Sequence, residues 1–263
     1  MAGARSKSGS DERYLSGRNA VREALVAEAS QYHRLLLSKS VAGAFGREIR
    51  ARAQTAHVPV QVVPPQKLDS LLPGVNHQGV ALALSAVTYL SVHDLLSQTA
   101  PTNDDVRDAK PILLILDHIQ DPYNLGAIIR SAAGAGVAGI ILPERDAAPV
   151  NAAALKTSAG AALHMPIART GRLSDVLQEL KERGYWVVGA DGSARESVWE
   201  LDWDRPLAIV IGSEEKGMRP GTAAACDHRV SIPLRGAVES LNASVAAGVI
   251  LFAAARTRPG SGN

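Results

Sequence analysis

Two five-residue runs, Ile112–Leu116 (ILLIL) and Leu207–Ile211 (LAIVI), carry no polar side chain. Successive side chains of a strand point to opposite faces, so each run needs apolar cover on both. A sheet with one face in water would alternate apolar and polar residues instead. The two runs therefore predict interior strands of a parallel sheet with helices on both sides. Around them, 125–135, 151–159, 173–183, 220–226 and 240–256 read as helices, and 139–142, 164–168, 186–190 and 229–232 as strands. Strands separated by helices imply βαβ units. Aromatic residues make up only 4% of the chain, so Ala, Val, Ile and Leu must build this core.

The first third carries a weaker version of the same alternation. Helices are expected at 19–28, 44–56 and 64–72, and strands at 33–38, 58–63 and 80–87, which suits a small α/β domain. Residues 89–111 are polar, rich in Asp and marked by Pro101 and Pro111, a composition that suits a linker. The expected organisation is a disordered start over 1–12, a small α/β domain over 13–88, a linker over 89–111, a parallel-sheet domain over 112–258 and a frayed tail over 259–263.

The formal charge of +2 implies no particular partner, but it is unevenly spread. Residues 1–60 hold ten basic side chains against five acidic ones, a net +5 that suits phosphate contact and equally a solvated surface. Cys226 is the only cysteine, which excludes an internal disulfide framework and a cysteine-rich metal site. The polar start has no apolar leader, and no run approaches the roughly 20 apolar residues of a membrane helix. A cytoplasmic location is expected.

Gly134, Gly136 and Gly139 fit G-x-G-x-x-G. That fingerprint binds a pyrophosphate only where it follows a strand and opens a helix. Here the glycines close a helix and lead into a strand, so a nucleotide-dependent oxidoreductase is disfavoured. Three other segments, each after an expected strand, hold the polar residues of a site. The first, Asp117–Gly126 (DHIQDPYNLG), contains Asn124 in an N-capping position and leads into an apolar helix carrying Arg130. The second, Gly212-Ser213-Glu214-Glu215-Lys216-Gly217, is a tight turn without phosphate-loop spacing. The third runs from Ile232 through Ser240, Leu241 and Asn242 to Ser244, with Ser240 read as the cap of the last helix.

In this order the segments D-P-x-N-L-G with its following Arg, G-x-E-x-x-G, and I-P-x-x-G-x-x-x-S-L-N resemble the three motifs of the SpoU (TrmH-like) branch of the SPOUT RNA methyltransferases. The resemblance covers roughly residues 112–256. Residues 14–25 and Asn76–Val80 resemble the substrate-binding domain that precedes the catalytic domain in the 23S rRNA guanosine-2′-O-methyltransferase subgroup. Ala243 stands where many relatives carry Val.

The resemblance implies an α/β catalytic domain with a deep trefoil knot, a homodimer, S-adenosylmethionine as methyl donor and no metal. It implies methylation of a guanosine 2′-hydroxyl in 23S rRNA, in the P-site hairpin of the peptidyl-transferase centre. Asn124, Arg130, Glu214, Ser240 and Asn242 carry over as catalytic, and Gly212, Ile232 and Leu241 as cofactor-binding. Rival readings are a tRNA guanosine 2′-O-methyltransferase, a 23S rRNA methyltransferase conferring antibiotic resistance, and an RNA-binding module without activity.

Overall fold

The computed structural model describes residues 5–7, 13–27, 32–41, 43–84, 87–256 and 258. The chain divides into two compact units, Met1–Thr88 with Pro149–Ala152, and Tyr89–Ala148 with Ala153–Asn263.

In the first unit the elements are β1 (Arg5–Lys7), β2 (Arg13–Ser16), α1 (Arg18–Ala27), β3 (Tyr32–Ser38), α2 (Gly43–Thr55), β4 (Val60–Val63), α3 (Pro65–Leu71) and β5 (Val80–Leu84). The sheet order is β1-β2-β5-β3-β4, with β3 and β4 parallel and the other pairs antiparallel. Three consecutive leucines show why β3 lies inside. Leu35 and Leu37 pack with Val21, Leu25 and Ile49 of α1 and α2, while Leu36 packs on the opposite face with Tyr14, Leu68 and Leu72. The disordered start expected over 1–12 is corrected at Arg5–Lys7, whose backbone pairs with β2. The rest of that segment and the tail 259–263 lie outside the described residues.

The second unit comprises α4 (Val92–Thr99), α5 (Asn103–Ala109), β6 (Ile112–Leu116), α6 (Pro122–Gly134), β7 (Gly139–Pro143), α7 (Ala152–Thr157), β8 (Ile167–Thr170), α8 (Leu173–Glu182), β9 (Trp186–Ala190), β10 (Glu196–Ser197), β11 (Leu207–Ile211), α9 (Pro220–Ala225), β12 (His228–Ser231) and α10 (Ala243–Ala255). All seven strands run parallel in the order β10-β12-β9-β11-β6-β7-β8. The two apolar runs, β6 and β11, are central neighbours, and every residue in them is buried. Gly134 ends α6 and Gly136 turns the chain at φ +72°, as expected of a turn between helix and strand.

The linker reading of 89–111 is corrected. Ser91 caps α4 by accepting from the Asp94 N–H, and Thr102 and Asp105 form a reciprocal capping box on α5. Leu95, Leu96 and Val106 are buried in the core of this unit. The polar residues that suggested a linker are the caps and outer faces of two short helices. Residues 161–163 form a 3₁₀ turn within the stretch expected to enter a strand at 164, and that strand begins at Ile167. Among the described residues, no helix is long and apolar enough to cross a membrane.

Candidate active site

Parallel strands deliver their following loops to one end of the sheet. Ile211 pairs with Leu116, so the chains after β11 and β6 emerge side by side. The Asp117 N–H extends this pairing by one bond, to the Ile211 carbonyl at 2.8 Å. The Asp117 side chain is fully buried. Its Oδ2 accepts the Arg219 backbone N–H at 2.8 Å, and its Oδ1 lies 3.0 Å from His118 Nδ1 and 3.3 Å from Arg219 Nε. This carboxylate ties the first loop to the end of the second. Asp117→Ala would leave the Arg219 N–H without its acceptor and the guanidinium with only the longer pairing to Asp146, at 3.6 Å. Arg219 remains partly solvated, so the expected loss is about 2–4 kcal/mol of stability, read by urea unfolding.

The second loop folds on itself. Ser213 N–H donates to the Gly217 carbonyl at 3.1 Å, and Gly217 N–H returns a bond to the Ser213 carbonyl at 2.9 Å. A Cβ on Gly212 would lie 2.2 Å from the Gly217 carbonyl carbon, so only glycine allows this closure. Glu214 is left exposed at the tip.

The third loop ends at Asn242, whose Oδ1 accepts the Ser244 N–H at 2.9 Å and caps α10. With the oxygen so engaged, Nδ2 donates to Asn124 Oδ1 at 3.0 Å and to Glu214 Oε2 at 3.2 Å. One amide therefore joins all three loops. Both caps expected from sequence are corrected here. Asp121, not Asn124, caps α6 by accepting from the Tyr123 and Asn124 N–H groups, and Asn242 takes the place expected for Ser240. Released from capping, the Asn124 amide is free to meet Asn242.

Beside this junction lies a cavity of about 550 Å³, within the roughly 300–1,000 Å³ typical of small-molecule sites. Gly212, Glu214, Ile232, Ser240 and Leu241 all line it, together with Met218. Arg130 does not line it. Arg130 is exposed on α6, seven residues from exposed Tyr123 and so on the same helical face, with no ion-pair or hydrogen-bond partner among the described residues. The structure thus brings together seven of the eight expected site residues and leaves Arg130 apart. Cys226 offers no nucleophile, because burial pushes its thiol up to about 11. Among the described residues, no group of three or more His, Cys, Asp or Glu could hold a metal ion.

Residues 111–252, which contain all three loops, match the family described as SpoU rRNA Methylase. The chain belongs to the SpoU rRNA methylase family. Residues 14–90 match a second family, described as RNA 2′-O ribose methyltransferase substrate binding. The 23S rRNA (guanosine-2′-O-)-methyltransferase RlmB of Xylella fastidiosa (strain Temecula1) is 41% identical over 90% of this chain and 89% of its own. The SpoU methyltransferase AviRb of Streptomyces viridochromogenes, solved in complex with the cofactor AdoMet, is 26% identical with a TM-score of 0.57, covering 94% of this chain and 90% of that one. The A. aeolicus TrmH/SpoU tRNA modifying enzyme is 27% identical with a TM-score of 0.52, covering 63% of this chain and 84% of that one.

In this SpoU chain the sequence reading missed Asp117 and Arg219 as partners, because 102 residues separate them. Nothing local announces such a pairing. Asp121 was within reach, since an Asp directly before a Pro that opens a helix is a capping signature. Gly126 is also explained: a Cβ there would lie 2.5 Å from the Ala154 carbonyl, so the N-L-G of the first loop lets α6 close on α7.

Proposed function

We propose that this chain transfers the methyl group of S-adenosylmethionine to a guanosine 2′-hydroxyl of 23S ribosomal RNA, in the P-site hairpin of the peptidyl-transferase centre. The observation that carries this reading is the Asn242 junction, which holds the cavity-lining Glu214, in a chain sharing 41% identity with an RlmB over nine-tenths of its length. The match of residues 14–90 to a substrate-binding family favours rRNA over tRNA, since the tRNA modifying enzyme covers only 63% of this chain.

The cavity suits such a donor. Ile232, Leu241 and Met218 offer apolar contact for adenine, and the Gly212 turn exposes backbone for polar groups. Glu214 places a carboxylate where a sulfonium's positive charge would be favoured. When bound, S-adenosylmethionine supplies the electrophilic methyl group. The protein's part is to align a ribose oxygen with that methyl and help its proton leave. In this reading Asn242 fixes Asn124 and Glu214, while Ser240 contacts the target nucleotide. The planar fork of Arg130 offers donors to the ribose oxygen or a neighbouring phosphate.

The reading includes a homodimer and the trefoil knot of this family. α10 exposes Val245 and Phe252, seven residues apart on one face, and it lies against α6, which exposes Tyr123 and Arg130. A second copy on this face would cover the apolar side chains and give Arg130 a neighbour.

The test is methylation of 23S rRNA fragments and of tRNA by the purified chain, followed by mapping of 2′-O-methyl positions. A single guanosine in the 23S hairpin is expected, with calorimetric binding of S-adenosylmethionine and none of NAD. Methylation confined to tRNA would overturn the substrate assignment. NAD binding without response to S-adenosylmethionine would overturn the cofactor assignment.

A further inference from the structure

Three loops of the first unit converge on a surface cleft lined by Arg18, Ser40, Val41, Gln78 and Gly79. The convergence is enforced by hydrogen bonds from the backbone N–H groups of two of the loops. Arg18 N–H donates to Gln78 Oε1 at 2.9 Å, and Ser38 N–H to the Gly79 carbonyl at 2.8 Å. His77 braces the turn: its Nδ1 accepts the Gly79 N–H at 3.0 Å, and its Nε2 lies 2.9 Å from Asp69 Oδ1. Gln78 itself is held at φ +52°, a conformation a side chain adopts only at a cost.

The cleft presents donors to solvent. The Gln78 carbonyl oxygen is engaged by Arg18 N–H, which leaves its NH₂ as the free end. Ser40 Oγ shares a hydrogen bond with Ser38 Oγ at 2.8 Å, so either hydroxyl can direct its proton elsewhere. The Arg18 guanidinium sits 4.8 Å from the centre of the Phe45 ring. Among the described residues it has no ion-pair partner. Arg22 contrasts with it: both Nε and Nη2 bind Glu48, at 2.8 and 3.0 Å, and Arg52 shares that carboxylate at 2.9 Å. Arg22 also lies over Phe45, at 5.6 Å. Arg22 and Arg52 thus share one glutamate, while the Arg18 guanidinium at the cleft is left uncompensated. A ring that holds it in place removes part of the ordering cost of binding an anion.

We propose that Arg18, Ser40 and Gln78 form a phosphodiester site that seats the RNA backbone on the first unit. This rests on the reading of the chain as an enzyme acting on RNA. A phosphate contact fixes register without reading sequence, so its loss weakens binding alike for different sequences and reduces the salt dependence by one phosphate.

The test is fluorescence anisotropy of the full chain with a labelled 23S rRNA hairpin and a loop-scrambled control, across a salt series. For Arg18→Ala, binding should weaken about tenfold for both RNAs, and the slope of log K against log salt should flatten by about 0.7–0.9. Arg18→Lys should keep the slope but bind less tightly, because an ammonium lacks the planar fork. Phe45→Leu should keep the slope and lose part of the affinity. Melting temperature and S-adenosylmethionine affinity should match the parent, since Arg18 is exposed. A Kd and slope for Arg18→Ala within twofold of the parent would overturn the site. So would a loss of affinity with an unchanged slope, or one confined to a single RNA sequence. Failure of the parent chain to bind either RNA would instead overturn the RNA reading on which the site rests.

Discussion

Asn242→Asp is expected to lower single-turnover methyl transfer on the order of 10²-fold while leaving the fold intact. The Asn242 side chain does two things through opposite ends. Its oxygen caps α10 through Ser244, and its amino group holds Asn124 and Glu214. An aspartate keeps the capping acceptor, and a carboxylate at the N-terminus of a helix is favourable. It cannot donate, and it sets a second negative charge against Glu214. The first and second loops then lose their common anchor, and the reactants lose alignment. Asn242→Ala removes both functions and should add about 1 kcal/mol of destabilisation from the lost cap. The comparison is decisive because capping and tethering separate. If the aspartate variant turned over normally and only the alanine variant were impaired, Asn242 would be a capping residue alone.

What could be read in advance followed from local periodicity. Two fully apolar runs sufficed for the interior strands, and the alternation around them placed most of the flanking elements within a few residues. Two kinds of feature escaped. Residues 92–109 failed as a reading because short amphipathic helices with Ser, Thr and Asp caps have the composition of a linker, and their buried Leu95, Leu96 and Val106 are too few to dominate it. The site escaped in its wiring. Its residues were legible as motifs, but the pairing of Asp117 with Arg219 and of Asn242 with Asn124 and Glu214 depends on which strands are neighbours. Strand order is a tertiary property, since β6 and β11 lie side by side although β7, β8, β9 and β10 intervene in the chain. The caps were misassigned for a related reason. Asn124 and Ser240 are competent capping residues by type, and geometry alone gives the role to Asp121 and Asn242.

Arg130→Ala is expected to reduce methyl transfer by about 10³-fold, the scale set by removing a donor aimed at developing charge. Two outcomes besides activity define the role. Arg130 is exposed and unpaired among the described residues, and alanine is the better helix former, so melting temperature should stay close to that of the parent. The cavity contains no part of Arg130, so S-adenosylmethionine affinity should also be unchanged. A structural arginine would instead lower stability and cofactor affinity together with activity. Because Arg130 does not line the cavity of its own chain, the proposed dimer gives it a route to the chemistry through a second copy. Mixing decides this. Arg130→Ala chains combined with Gly212→Val chains, whose cavity wall cannot close, should regain activity if arginine and cavity come from different copies. If mixed dimers stay inactive while Arg130→Ala alone is dead, the arginine serves the cavity of its own chain. Near-normal turnover in a stable Arg130→Ala protein would remove it from the mechanism altogether.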